Sequence, residues 1–429
     1  RYPIRMLRPT RRVKDGSDPE KPEYEYVDEM TTVNSMVPIW QRAKTEVTDD
    51  ECVEWYKETN RDQTDPAAVL RINAEGVVSY KALLFIPGKD IDNGISGATK
   101  KGVKLYCNGV LIMEDCDKLL HDYFEFVRGV VDSPDLSLNI SREILQHNRQ
   151  LKVIGQNLEK KIKAELEKMM RDDRPKYETF WKNFGIHIKC GVCDEYGRFT
   201  DFLKDLLIFY TSEDSMRSLK EYVDAMPESQ KAIYYASADT VKHAMALPQC
   251  EEVRSRGYEI LYLDHPIDET VLQQLRMYEG KGFVNILTED LGFQTDEEKK
   301  AAEEKVVENK ELLDFIRDSI GDEKLKQVTL SSKLVSSACC LTSTGGFTLE
   351  MEKYFRNGPS EEMRKLRADR VLELNGKHAA CLAIKKAYDD GDKDKAAALS
   401  KILYAQSELI AGVEIEDPTA YADLVCSLF

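Results

Sequence analysis

Six apolar side chains recur at intervals of three or four residues between positions 151 and 169, and this pattern limits the possible folds more than any other feature. An α-helix has about 3.6 residues per turn, so side chains at these intervals lie along one side of it. The pattern predicts an amphipathic helix of about seven turns that begins near Ser141 and packs against another layer. The six residues are Leu151, Ile154, Leu158, Ile162, Leu166 and Met169.

Strand patterns lie on both sides of this helix. Before it, RINAEGVVSYKALLFIPG has a turn at Glu75-Gly76, and GVKLYCNGVLIM contains Asn108-Gly109, a dipeptide favoured in two-residue hairpin turns. After it, KAIYYASADTVKHAM and GYEILYLDHPIDETVLQQL each contain a buried strand followed by a helical stretch. This mixture predicts an α/β (α+β) fold in which sheets and helices form layers.

The length of the chain indicates more than one domain. A chain of 429 residues exceeds what one hydrophobic core usually supports, so we expect two or three domains. Residues 1–30 combine a strand-like start with a charged, proline-containing stretch typical of a linker. Strand and helix alternate to about residue 290, and a mixed acidic and lysine-rich segment follows. We therefore predict a larger domain over residues 31–290 and a smaller one over residues 291–429.

The final helix has an apolar stripe. Asp417-Pro418 combines a residue favoured at the helix N-cap with a proline in the first turn. A helix this short is not stable by itself. It must therefore dock on its own domain or on another subunit. The stripe consists of Tyr421, Leu424, Val425 and Leu428.

Composition excludes several classes of protein. The net charge of −16 argues against nucleic-acid binding, which requires a basic surface. No run approaches the roughly eighteen apolar residues of a membrane-spanning helix. The ten cysteines form no regular framework and follow no signal peptide, so we expect reduced thiols and a cytoplasmic protein without nucleic-acid or membrane partners.

No self-contained catalytic or metal site is recognisable in the sequence. A G-x-x-x-x-G-K-[ST] phosphate loop is missing, and Cys190 and Cys193 form one C-x-x-C pair without a second pair at zinc spacing. DDGDKDKAAALSK resembles a calcium loop, but Lys395 and Lys401 occupy its glycine and closing glutamate positions. We therefore predict no metal site.

Arg142 occupies a position that favours an anion. It lies in the first turn of the predicted helix, where free N–H groups and the macrodipole disfavour a cation. Gln146 follows one turn later on the same face, and Asn139 comes just before the helix. These donors suit a phosphate, such as a nucleotide held by another domain. A surface arginine paired with Glu143 or Asp135 is the alternative interpretation.

The segment LSLNISREILQHNRQLKVIGQNLEKKI closely resembles the catalytic loop and following helix in the middle domain of the heat-shock protein 90 chaperone family. The resemblance continues in order over nearly the whole chain, and bacterial members are the nearer match. Other matching segments are MVPIWQRAKTEVTDDECVEWYKE, YCNGVLIMEDCDKLLHDYFEFVRGVVDSPDL, FWKNFGIHIKCGVCDE, SLKEYVDAMPESQKAIYY, PIDETVLQQL and SSACCLTSTGGFTLEMEKY.

The resemblance implies an ATP-dependent chaperone that is represented here only in part. Residues 1–30 would include the end of a missing nucleotide-binding domain, residues 31–290 a middle domain, and residues 291–429 a C-terminal domain ending in a dimerising helical bundle. The full-length protein would bind ATP and Mg²⁺ and hydrolyse ATP, whereas this fragment would bind neither and be inactive alone. Arg142 would contact the γ-phosphate, with Gln146 and Asn139 in the same loop.

The resemblance also implies protein partners. Partly folded client proteins would contact Trp40. The alternative is that Trp40 is buried and anchors the first strand. Client proteins would also contact Phe347, Met351 and Tyr354 on one face of an amphipathic helix, for which ordinary core packing is the alternative.

Homodimerisation would use Tyr421, Leu424, Val425 and Leu428. Co-chaperones are further expected partners, although not those that recognise a Met-Glu-Glu-Val-Asp tail. The competing functions are a structural dimer scaffold and a free-standing phosphotransferase.

Overall fold

The computed structural model describes residues 3–13, 24–33, 37–89, 102–136, 149–344, 347–356, 360–415 and 417–427. These residues form the mixed sheets and helices of an α/β protein, which confirms the predicted fold class. The chain divides into two compact units, residues 1–187 and residues 188–429. The predicted boundary at residue 290 lies inside the second unit, and a domain division at that position stays a prediction.

The first unit contains a two-stranded sheet and a five-stranded sheet. Its strands are β1 Arg5–Val13, β2 Tyr24–Thr32, β3 Ala68–Ala74, β4 Tyr80–Ile86, β5 Gly102–Cys107, β6 Val110–Met113 and β7 Arg128–Asp132. The larger sheet has the order β3-β4-β7-β5-β6, in which β5 and β7 are parallel and the other neighbours antiparallel. Both predicted hairpins, β3–β4 and β5–β6, are confirmed.

The turn between β5 and β6 has the predicted geometry. Asn108 and Gly109 have φ values of 50° and 76°. A type I′ turn requires positive φ at both central residues, and asparagine and glycine tolerate it best. The local sequence therefore determines this hairpin turn.

The helices of the first unit include the predicted amphipathic helix. They are α1 Asp49–Asn60, α2 Arg149–Asp172 and α3 Arg174–Cys193, the last of which continues into the second unit. All six residues of the predicted stripe on α2 are buried. Gly155 lies on the same side of α2, and a Cβ atom there would be 2.5 Å from the backbone oxygen of Leu119. Glycine thus allows the helix to approach the neighbouring backbone closely.

The second unit begins with a six-stranded sheet of order β12-β13-β10-β11-β8-β9. Its strands are β8 Ile208–Ser212, β9 Ser215–Ser218, β10 Ile233–Ser237, β11 Leu261–Leu263, β12 Met277–Tyr278 and β13 Lys281–Asn285. The helices in this part are α4 Thr200–Leu203, α5 Leu219–Ala225, α6 Val241–Ala246, α7 Glu251–Ser255 and α8 Ile267–Leu275. Strands β10 and β11 are buried and each is followed by a helix, as predicted, and the structure pairs them in parallel.

The rest of the second unit packs helices on a three-stranded sheet of order β14-β16-β15. The strands are β14 Leu325–Leu330, β15 Cys339–Thr344 and β16 Asp369–Leu374. The helices are α9 Asp296–Glu308, α10 Lys310–Ile320, α11 Leu349–Arg356, α12 Glu361–Arg364, α13 Ala379–Asp389, α14 Lys393–Ile410 and α15 Pro418–Cys426. In the described part of the chain, no helix combines the length and apolar character needed to span a bilayer.

Glu251 of α7 connects the two parts of the second unit that lie before and after residue 290. Its carboxylate accepts hydrogen bonds from the backbone N–H groups of Val335, Ser336 and Ser337 and from both serine hydroxyls, at 2.7–3.3 Å. Burial alone would raise the pKa of Glu251, but these hydrogen bonds outweigh it and lower the pKa to about 2. The carboxylate therefore holds the loop before β15 against α7.

Candidate functional site

The predicted catalytic residues lie outside the described part of the chain. Asn139, Arg142 and Gln146 fall within residues 137–148, so their expected placement around a phosphate stays a prediction. The described structure ends at Leu136 and resumes at Arg149, the first residue of α2.

The backbone before this segment is held firmly by the five-stranded sheet. The Ser133 hydroxyl donates to the backbone oxygen of Ser79 at 2.7 Å, and the Cys107 thiol donates to the backbone oxygen of Leu136 at 2.8 Å. Asp135 accepts a hydrogen bond of 2.6 Å from the backbone N–H of Ser79. Asp135, one partner in the alternative interpretation of Arg142, therefore already binds a backbone donor.

Trp40 is half-buried in an aromatic cluster of the first unit. It lies in a 3-10 helix, Ile39–Gln41, and its indole N–H donates to Oδ2 of Asp132 at 3.1 Å. Its ring centroid is 4.9 Å from that of Tyr106 and 5.9 Å from that of Trp55. The polar edge of the indole is thus fixed while part of the ring remains accessible.

Asp132 is the residue that orients this cluster, and sequence reasoning did not identify it. The side chain is 4% exposed and also accepts hydrogen bonds from Gln41 Nε2 at 2.6 Å and from the Gly109 backbone N–H at 3.1 Å. In the sequence, only the apolar pair Val130-Val131 directly before Asp132 hinted that this carboxylate would be buried. Trp55 on α1 also belongs to the cluster and was not identified from the sequence.

The second predicted client surface lies on and before α11 of the second unit. Phe347 packs partly buried against the core, and its ring is 6.0 Å from that of Phe355. Met351 is half-buried, and its backbone N–H binds the Thr348 hydroxyl at 3.1 Å. Tyr354 belongs to the helix, but its side chain lies outside the described part. The predicted face is therefore partly packed and partly accessible.

A buried charge network, missed by the sequence analysis, fixes α11. Glu352 accepts a hydrogen bond of 2.8 Å from the Ala368 backbone N–H and lies 3.5 Å from Nη2 of Arg370. Arg370 on β16 also binds Glu408 at 2.6 Å and the Tyr404 hydroxyl at 3.1 Å, both on α14. Burial alone would lower the pKa of Arg370, but Tyr404 and the two carboxylates raise it. The guanidinium therefore stays charged and connects α11 with α14.

The predicted dimerisation residues lie on α15. Tyr421, Leu424 and Val425 are each partly exposed, whereas Leu428 lies outside the described residues. Asp417 accepts hydrogen bonds from the backbone N–H groups of Thr419 and Ala420, so the predicted N-cap is confirmed. In the described part of α15 no residue is buried, although the helix contacts α14.

Metal coordination has no support in the described ranges, where no group of three or more His, Cys, Asp and Glu side chains is arranged to hold an ion.

Comparisons with known proteins identify relatives over the full length of the chain. The family model described as Hsp90 protein matches residues 10–429. The chain is 43% identical to the chaperone protein HtpG of Bacillus subtilis strain 168, 44% to that of Clostridium perfringens strain 13 and 42% to that of Alkaliphilus oremlandii, covering 100% of this chain and 67% of each relative. These matches confirm the resemblance, and the chain belongs to the Hsp90 protein family.

Proposed function

We propose that this chain is the client-binding and dimerising part of a molecular chaperone. The observation that carries the proposal is the identity of 42–44% to bacterial HtpG chaperones over every residue of the chain. Those relatives are longer, since the chain spans 67% of their length. The part of those relatives that lies outside this chain would supply nucleotide binding, and the full-length protein would act in the cytoplasm on partly folded client proteins.

The aromatic cluster around Trp40 is the first proposed client surface. Half-exposed aromatic rings bind apolar segments with little loss of conformational entropy, because each ring has few rotatable bonds. The hydrogen bond from Trp40 to Asp132 supports this role by holding the ring in place before a client arrives. Trp40, Trp55 and Tyr106 would form the contact area.

The helix α11 is the second proposed client surface. Met351 has a flexible, polarizable side chain that can repack against different partners, and Phe347 adds an aromatic ring beside it. The burial of Glu352 supports the proposal, because it anchors the helix to the core while Met351 stays partly accessible. Tyr354 would complete the surface.

Homodimerisation is proposed through α14 and α15. Leu409 and Ile410 at the end of α14 are 53% and 38% exposed, and Tyr421, Leu424 and Val425 add partly exposed apolar area on α15. A second copy of the chain would cover this area, and Leu428 would extend the contact. Nucleotide is not needed for such pairing, since these residues all lie in the present chain.

ATP and Mg²⁺ would act only in the full-length protein. There Arg142 would contact the γ-phosphate held by the nucleotide-binding domain, with Gln146 and Asn139 in the same loop. A guanidinium at that position would stabilise charge in the transition state for phosphoryl transfer. Co-chaperones would regulate this cycle. Divisions after residues 30 and 290 would separate the linker, the middle domain and the C-terminal domain.

The proposal is tested by the ability of the chain to suppress aggregation of a heat-denatured client. The variants Trp40→Ala and Met351→Ala should each weaken suppression several-fold, because each removes one apolar contact. Tyr196→Ala is the matched control, since Tyr196 is fully exposed at 101% but lies on neither proposed surface. If both client-surface variants, correctly folded by circular dichroism, suppress aggregation as well as the unsubstituted chain, the proposal is wrong and a structural dimer scaffold is supported.

A further inference from the structure

A cavity in the second unit lies between the parts of the chain before and after residue 290. The free space between its lining residues, which is partly open to solvent, is about 400 Å³. Glu269 of α8 and Asn285 at the end of β13 line it from the first part, and Leu341 of β15 and Glu350 of α11 line it from the second. The cavity therefore exists only where these two parts pack together.

A buried amide in the cavity wall has an unused hydrogen-bond acceptor. Gln249 is 3% exposed, and its Nε2 donates to the backbone oxygen of Leu341 at 3.0 Å. This bond identifies the other end of the amide as the carbonyl oxygen. Among the residues that the structure describes, nothing donates a hydrogen bond to Gln249 Oε1. A donor placed in the cavity would satisfy this buried oxygen.

Carboxylates outnumber cationic groups around the same cavity. Lys353 Nζ lies 2.6 Å from Glu350 Oε1 and 3.7 Å from Asp239 Oδ2. Burial raises the pKa of Glu350, Lys353 offsets part of that effect, and the Asp239 and Glu269 carboxylates raise the pKa further. The Asp239 and Glu269 carboxylates thus act on Glu350, beside the single ammonium group of Lys353, and an additional cation would reduce this repulsion.

We propose that this cavity binds a small organic cation with N–H donors, of the primary ammonium class. Glu269 and Glu350 would balance its charge, and one N–H group would donate to Gln249 Oε1. Thr288 and Ser343, whose hydroxyl groups can accept hydrogen bonds, also line the cavity. The same carboxylates disfavour an anion.

A cation bound here would stabilise the contact between the two parts of the second unit. The proposed ligand would contact α8 on one side and α11 on the other. It would therefore bind only while these two helices are packed together, and its binding would stabilise that packing. A small amine has few non-hydrogen atoms, and each of them can contribute only a limited binding free energy. The dissociation constant for a minimal amine is therefore expected in the millimolar range.

The direct test is a titration of the full, ¹⁵N-labelled chain in which NMR monitors the side-chain amide resonance of Gln249. That resonance is assigned by its absence from the spectrum of Gln249→Leu. Methylammonium chloride and tetramethylammonium chloride are compared at constant ionic strength, because both cations have the same charge but only the first donates hydrogen bonds. Methylammonium should shift the resonance saturably, and tetramethylammonium should not. Equal shifts from both cations, or from potassium chloride, would overturn the proposal.

Variants of the two carboxylates test the site independently. Glu350→Gln and Glu269→Gln remove one charge each at nearly constant size, so the dissociation constant for methylammonium should rise tenfold or more. Glu361→Gln is the matched control, because Glu361 is exposed on α12 and its loss changes the net charge equally. Unchanged affinity in a correctly folded Glu350→Gln chain would contradict the proposal. If that variant does not fold, the comparison of methylammonium with tetramethylammonium in the unsubstituted chain still tests the proposal.

Discussion

At the scale of single residues, Asp132 explains how a tryptophan can be both anchored and accessible. Asp132 ends β7 and pairs in register with Tyr106 on β5, whose ring centroid is 4.9 Å from that of Trp40. Three donors converge on the Asp132 carboxylate: the Trp40 indole, the Gln41 amide and the Gly109 backbone. A buried charge is stable only when it is compensated in this way.

The substitution Asp132→Ala should therefore lower the free energy of unfolding of the first unit by about 2–4 kcal/mol, because it leaves three donors without their acceptor. Urea unfolding followed by tryptophan fluorescence measures the change. Asp115→Ala is the control, since Asp115 is exposed, and it should change stability by less than about 0.5 kcal/mol. Equal stability of the two variants would show that Asp132 does not organise the cluster.

Glu251 makes stability depend on pH. Its pKa is about 2 in the folded chain against 4.5 for the free side chain. Because folding lowers this pKa, the stabilisation is complete above about pH 4.5 and is lost as the pH falls from there toward 2. Glu251→Gln should lower the free energy of unfolding by about 1–2 kcal/mol at pH 7, a modest value because solvent reaches the carboxylate.

The difference between the unsubstituted chain and Glu251→Gln should decrease at acid pH. Thermal or urea unfolding at pH 7, 5 and 3 measures this trend, with Glu303→Gln, exposed on α9, as the control. A difference that stays constant over this range would contradict the assignment of the low pKa to Glu251.

At the scale of secondary structure, the packing of α2 depends both on its apolar stripe and on the close contact that Gly155 allows. The apolar stripe directs one side of the helix toward the sheet, and Gly155 lets that side approach Leu119. Alanine normally favours a helix over glycine by about 1 kcal/mol. Here the added methyl group would meet a backbone oxygen at 2.5 Å, which the neighbouring chain cannot easily avoid.

Gly155→Ala should therefore destabilise the first unit by about 1–3 kcal/mol despite the better helix propensity. Gly76→Ala serves as the comparison, because no atom lies within 4 Å of the position that its Cβ would occupy. Differential scanning calorimetry of both variants measures the effect. A rise in the melting temperature of Gly155→Ala would mean that the helix moves away from Leu119 at little cost.

At the scale of the whole molecule, the exposed apolar surface at the end of the chain predicts association. Sedimentation velocity should show a dimer at micromolar concentration without nucleotide. Leu424→Glu should weaken dimerisation on the order of a hundredfold, because it places a charge in an apolar contact. Leu366→Glu is the matched control, since Leu366 is 46% exposed elsewhere in the second unit. A monomeric unsubstituted chain would exclude dimerisation through α15.

The proposed role of Arg142 also belongs to the whole molecule, because its phosphate would be held by another domain. The chain joined to the nucleotide-binding domain of a bacterial relative should hydrolyse ATP, whereas the chain alone should not. Arg142→Ala should reduce kcat on the order of a hundredfold or more. Arg171→Ala, exposed near the end of α2, should leave kcat unchanged. Similar rates for the two variants would exclude contact between Arg142 and the phosphate.

The sequence by itself determined the features that depend on neighbours along the chain. The stripe on α2, the Asn108-Gly109 turn, the N-cap at Asp417 and the two buried strands followed by helices were all predictable. Backbone geometry and side-chain periodicity act over a few residues, so local sequence is enough to encode these features. Family membership was also readable, because whole segments match. The α/β class follows from the same local patterns.

Only the tertiary structure decided which distant side chains meet. Trp40 and Asp132 lie 92 residues apart, Glu251 and Ser336 lie 85 apart, and Arg370 and Glu408 lie 38 apart. Strand order, the division of the chain near residue 187 and the cavity beside Gln249 likewise follow from packing. Such contacts depend on how complete elements fit together in three dimensions, and no periodicity within one element encodes them.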